Sequence, residues 1–216
     1  MPKILVIILL WLAAAGCTPA LTDVTIVSGP GRYEVSFAGS GVTLGGILFR
    51  PASRSKPLPA IIVLHGWARP GVPGALRVEG TARRLSEQGY VTLALSMRGW
   101  PPSSGWDDCG TAQPDDVAKA ADWLATLPGV DGDSIGVLGF SLGGQVALLS
   151  GARSGRIKAI IAYFPITDIQ RWAPYDEQQG NSLLLCSASV RNQQSKFAGS
   201  SCKPDSCLGP ADSRRP

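Results

Sequence analysis

Between about residues 60 and 165 the chain alternates between two periodicities, and that alternation limits the fold more than any other feature of the sequence. AIIVLHGW is a nearly continuous apolar run, as expected for a parallel strand buried on both faces. GALRVEGTARRLSEQGY follows at helical spacing, with Val78, Ala82 and Leu85 sharing a face and Gly89 closing its end. VTLALSMRG reads as the next strand. QPDDVAKAADWLATLPGV reads as a helix, with Pro114 and the charges of Asp115 and Asp116 at its start and Pro128 beyond its end. DSIGVLGF, SLGGQVALLSGARSG and IKAIIAYFP then give strand, helix and strand. Connections of this kind build a parallel sheet with helices on both faces, an α/β fold. Upstream, residues 23–50 hold short β-branched runs separated by Gly-Pro-Gly and Gly-Ser-Gly turn signals.

The flanks differ. The first twenty residues include an apolar run of thirteen, Ile4 to Gly16, behind Lys3. A membrane span needs about 20 apolar residues, so this run fits a signal-peptide core, with residues 1–17 as the exported leader. Ala14-Ala15-Gly16-Cys17 resembles a bacterial lipobox with Ala14 in place of the usual leucine, which makes Cys17 the expected lipidation site. The competing reading is ordinary cleavage at small residues. Either route implies an exported chain, as a membrane-anchored lipoprotein or in the periplasm. Export permits disulfides among Cys109, Cys186, Cys202 and Cys207, in three possible connectivities. After Asp176 the pattern dissolves. Residues 177–216 hold eight serines and three cysteines and only one strand-like stretch, SLLLCSASV. That composition fits a flexible tail, or a chain that has left its original reading frame.

A hydrophobic content of 44% with 17% charge describes a globular chain, with residues 22–176 as one domain. The net charge of +4 is spread thinly, without the basic stripe that nucleic-acid binding requires. No cysteine spacing suits zinc, because histidine partners are missing, and no cofactor or metal is expected.

The chemistry sits in Gly139-Phe140-Ser141-Leu142-Gly143, a G-x-S-x-G pattern between a buried strand and a helix. A serine in such a sharp turn presents its hydroxyl, the following N–H points to where an oxyanion forms, and flanking glycines allow close backbone approach. Ser141 is therefore the candidate nucleophile. The alternative is a glycine-rich turn with a solvated serine.

Residues 42–172 resemble the dienelactone hydrolase and prolyl-oligopeptidase-like branch of the α/β-hydrolase superfamily. The resemblance is carried by VTLGGILFRP, AIIVLHGW, SMRGWPPSSG, DDVAKAADWLATLPGVDGDSIGVLGFSLGG and YFPITDIQRW. It implies an eight-stranded, mostly parallel sheet and hydrolysis of an ester, lactone or peptide bond through an acyl-enzyme. It also implies that Trp67, after the His65-Gly66 pair, and Leu142, after the nucleophile, supply the oxyanion N–H groups. His65, Gly66, Gly139 and Gly143 then support the loop and the turn. Trp67 could equally be an aromatic wall of the cleft. Arg98 is expected to be solvated or salt-bridged, and Asp168 to be structural or to line the substrate loop.

The resemblance breaks downstream. In that family an acid follows the next strand in a hydrophobic-hydrophobic-His-Gly-x-x-Asp stretch, and the catalytic histidine comes later, beside a final helix. Here the chain's single histidine, His65, precedes Ser141. Asp168, Asp176, Glu177, Asp205 and Asp212 stand in no such motif, and the last two strands and closing helix have no counterpart in the pattern. Loss of a triad histidine costs about 10⁶-fold in kcat. The expectation is a truncated or frame-shifted serine hydrolase, severely impaired as this chain. The alternatives are an exported, membrane-tethered binding module, or an active enzyme whose base is His65 or comes from a partner chain.

Overall fold

A computed structural model describes residues 29–52, 56–68, 71–168 and 171–172. The leader, Cys17 and the 177–216 tail with its three cysteines lie outside the described residues.

Among the described residues six strands and three helices follow in the order β1 (Gly31–Ala38), β2 (Thr43–Arg50), β3 (Leu58–Leu64), α1 (Gly74–Glu87), β4 (Val91–Ser96), α2 (Gln113–Thr126), β5 (Val130–Phe140), α3 (Leu142–Arg153) and β6 (Ile157–Tyr163). They form one sheet in the order β1-β2-β4-β3-β5-β6. β1 and β2 pair antiparallel, as do β2 and β4. From β4 through β3 and β5 to β6 every pairing is parallel. The alternation read from the sequence is thus the parallel part of a mixed sheet. The antiparallel hairpin comes from the turn-rich stretch before it. β5 begins three residues earlier than its apolar run, because Val130 pairs with Leu58 ahead of a register shift.

Side-chain alternation along the central strands divides the core between two faces. On one face Ile62 and Leu64 of β3 join Leu93 and Leu95 of β4 beneath α2 and α3, through Val117, Ala121, Leu124, Val146 and Ala147. On the other, Val63 and Ala94 pack with Ala75, Val78 and Ala82 of α1. α1 carries the chain from β3 out to β4, whereas α2 brings it back to β5 on the opposite side of β3. The strand order therefore reverses between β3 and β5. Loops leaving the carboxyl ends of those two strands diverge there and open a crevice, the usual binding position of an open α/β sheet.

Candidate active site

Ser141 stands at that crevice. It caps α3 immediately after β5 with φ 53° and ψ −116°, a left-handed conformation that costs a non-glycine residue about 1–3 kcal/mol. The surroundings impose it. The Ser141 N–H donates to the Tyr163 carbonyl at the end of β6 (2.8 Å), and the Ser141 carbonyl accepts from the Gln145 N–H (3.1 Å). The flanking glycines are required by contact. A Cβ on Gly139 would lie 2.1 Å from the Gly143 carbonyl oxygen, and one on Gly143 would lie 2.5 Å from the His65 carbonyl oxygen. Strand, turn and the β3 loop meet backbone to backbone, so the turn is fixed by packing.

The loop after β3 lies against the serine. A Cβ on Gly66 would be 3.3 Å from the Ser141 Cβ. Among the described residues, neither the Trp67 nor the Leu142 backbone N–H donates to a protein acceptor. Leu142 directly follows Ser141, and Trp67 follows Gly66, the residue of the β3 loop that lies against Ser141. Two side chains hold this loop. The buried Trp100 indole donates to the Ala68 carbonyl (2.9 Å), and the His65 ring bonds to the Gly66 carbonyl from below.

His65 settles its own role. Its Nε2 accepts the Met97 backbone N–H (3.1 Å), which requires the proton on Nδ1, and Nδ1–H donates to the Gly66 carbonyl (2.7 Å). The ring is fully buried, with the edge of Trp100 against it at 4.9 Å between centroids. A Cβ on Gly74, at the start of α1, would meet Nε2 at 2.1 Å. Burial lowers the His65 pKa to about 4, against a smaller upward pull from the Gly66 hydrogen bond. No lone pair is left to take a proton from Ser141. His65 is a neutral pin between β3, β4 and α1.

Arg98 is salt-bridged. Its Nε meets Asp116 Oδ2 at 2.5 Å, Nη2 meets Asp116 Oδ1 at 2.7 Å, and Nη2 also donates to the Ser40 carbonyl at 2.8 Å. Asp116 is correspondingly more than a helix-start charge. Its side chain is 1% exposed and takes the Ser40 N–H as well, tying the β1–β2 turn to α2. Asp115 keeps the expected surface role, paired with Arg153 at 3.1 Å. The exposed Asp168 accepts the Arg171 N–H through its carboxylate at 3.0 Å. Trp100 escaped the sequence reading as a support of the β3 loop. The only available signal was its place in the loop between β4 and α2.

A mostly parallel sheet with a strained serine at its topological switch defines an α/β-hydrolase. More narrowly, the chain belongs to the X-Pro dipeptidyl-peptidase (S15) family, whose model matches residues 40–196. It is 30% identical over 175 residues to polyketide transferase claH of Penicillium crustosum, covering 79% of this chain and 55% of that protein. It is 32% identical over 124 residues to dipeptidyl-peptidase 5 of Porphyromonas gingivalis, covering 54% of this chain and 18% of the relative. Among solved structures, the α/β hydrolase GrgF from a Penicillium species superposes with a TM-score of 0.57 at 28% identity, over 68% of this chain and 54% of that one. The chain thus spans about half or less of the length of these relatives.

Proposed function

We propose that this chain carries the nucleophile and oxyanion-binding half of a serine-hydrolase centre, and that it accepts an acyl group on Ser141 without sustained turnover. The observation that carries the reading is the pairing of a strained, packed Ser141 with a His65 whose two ring nitrogens are both committed. In the proposed step the Ser141 oxygen attacks an acyl carbon while the Trp67 and Leu142 N–H groups receive the developing oxyanion. The bond to the leaving group then breaks, that group departs with the electron pair, and the hydroxyl proton passes to solvent.

This route favours activated esters and lactones. An amide nitrogen leaves only when protonated, and the chain's single histidine cannot deliver that proton. Hydrolysis of the acyl-serine needs a base to activate water, so the second step is slower than the first. The short apolar leader and the small residues before Cys17 support placing the chain outside the cytoplasm, held to a membrane by a lipid on Cys17. The same unavailable imidazole supports a second reading, an exported binding module that keeps the fold without chemistry.

A fluorophosphonate probe separates the two. The hydrolase reading expects slow, stoichiometric labelling of Ser141 that vanishes in Ser141→Ala. A folded protein that stays unlabelled, or that is labelled on another residue, contradicts it.

A further inference from the structure

Phe164 is held in a conformation that its own packing does not explain. It has φ 51°, a left-handed geometry in which a bulky residue is strained, yet it is 86% exposed. The turn itself has a reason. Pro165 packs on the first turn of α3, where a Cβ on Gly144 would lie 3.3 Å from it, and Ile166 is buried. The chain therefore bends onto α3 at residue 164, and a glycine would bend there without strain. A phenylalanine keeps the strain and buries no ring in return.

The position is beside the nucleophile. In the parallel register of β5 and β6, Phe140 pairs with Tyr163, so Ser141 and Phe164 are the next residues on two neighbouring strands. Such strands lie about 4.8 Å apart. The Ser141 N–H donates at 2.8 Å to the Tyr163 carbonyl, the group that forms the peptide bond to Phe164. The Phe164 ring also continues a row. Phe140 stacks on Tyr163 at 5.3 Å between centroids, and Tyr163 meets Phe164 at 6.4 Å. The row ends in an exposed ring on the residue next to Ser141.

We infer that Phe164 determines specificity: its ring is the apolar wall against which the acyl chain of an ester or lactone lies while Ser141 attacks. The inference rests on the reading of Ser141 as the nucleophile, and the bonds made and broken are those of the acyl transfer already given. The oxyanion donors proposed on the β3 side leave the β6 side of Ser141 to a substituent of the reacting carbon. The leaving group has to depart to solvent. The acyl chain stays, and is the substituent that a fixed aromatic wall can hold through the step. Each methylene covered by the ring favours a longer apolar chain over acetyl.

The test uses the full chain with p-nitrophenyl acetate and p-nitrophenyl hexanoate, which share a leaving group and differ only in the acyl chain. First-turnover release of p-nitrophenolate, less the buffer rate, gives the acylation rate for each ester. Phe164→Gly should lower the hexanoate-to-acetate ratio of those rates about fivefold, the effect of removing one apolar wall. Phe164→Leu should keep most of the ratio. Glycine suits the backbone at this position, so the variant is expected to remain folded. Phe164→Asn, whose side chain also tolerates positive φ, takes its place should it not fold. A folded Phe164→Gly or Phe164→Asn protein with the parental ratio overturns the inference. A parent that neither ester acylates counts against the nucleophile reading instead. The wall is then read from the Phe164 ring signals, one set among five phenylalanines, during titration with sodium hexanoate and sodium acetate. Signals lost in the Phe164 variants that shift saturably with hexanoate and not with acetate uphold the wall. Signals that hexanoate leaves unmoved overturn it.

Discussion

The two sides of β5 are built differently. Toward β3, backbone meets backbone: Gly139 and Gly143 admit contacts that no Cβ could share, Gly66 lies close against Ser141, and His65 is buried beside them. Toward β6, the structure opens. Ile161 is 51% exposed, Phe164 is 86% exposed with φ 51°, and β6 ends the strand order of the described sheet. A hollow of about 360 Å³ lies between the C-terminal end of α1 and the sheet, lined by Leu85, Tyr90, Ile61, Leu138 and Ile161. The nucleophile therefore belongs to the over-determined side and needs nothing from the other except the Tyr163 carbonyl. Assembly of a strained serine and supply of a proton acceptor are separable properties: among the described residues Ser141 is held in place, while both ring nitrogens of His65 are bonded elsewhere.

Breaking the packed side should have the largest effect. Gly143→Ala drives a methyl group into the Leu64 and His65 carbonyls, at 2.8 and 2.5 Å, where backbone cannot yield cheaply. We expect a loss above about 4 kcal/mol, or failure to fold, read by urea denaturation. A Gly143→Ala protein with the parental midpoint would show that the close approach is not real.

A smaller, pH-dependent effect sharpens the same side. His65 binds its proton less readily when folded (pKa about 4) than when unfolded, about 6.5. Between those values the unfolded state holds more protons, so its contribution is complete above pH 6.5 and is lost as pH falls toward 4. The cost on reaching pH 4 should be a few kcal/mol. Because the chain has a single histidine, its ring resonances are unambiguous. They should stay flat from pH 5 to 8 with the proton on Nδ1. Titration near 6.5 would mean that the ring is open to solvent or substrate.

The open side should respond least in stability and most in solubility. Ile161→Lys places charge on an exposed apolar edge, which should change the unfolding free energy by less than about 0.5 kcal/mol while raising the concentration at which the protein precipitates. Unchanged solubility would indicate that the surface is covered in solution.

What the sequence disclosed follows the range of the interactions involved. The elements from β3 to β6 were legible because each buries a periodic apolar face, and the Ser141 turn because G-x-S-x-G between strand and helix is a local signal. The glycines were legible as a pattern, but their contact partners were not. The close approach of Gly143 to the His65 carbonyl, which an added Cβ would meet at 2.5 Å, joins α3 to the loop after β3, which no local window contains. For the same reason His65 could be ranked as structural only by chain order, until the Met97 and Gly66 bonds occupied both of its nitrogens. Asp116 read as a helix-start charge because its partner Arg98 lies in the loop after β4.

The central proposal is that Ser141 is assembled and that His65, the chain's single histidine, is not its base. It is tested most directly by exposing the folded protein to p-nitrophenyl acetate, following p-nitrophenolate release and weighing the intact protein at the end, beside Ser141→Ala and His65→Gln. We predict release that stops at or below one equivalent, or stays near the buffer rate, with at most one acetyl group per chain, on Ser141. Many turnovers above background, lost in Ser141→Ala and also in a still-folded His65→Gln, would contradict the claim and make His65 the base.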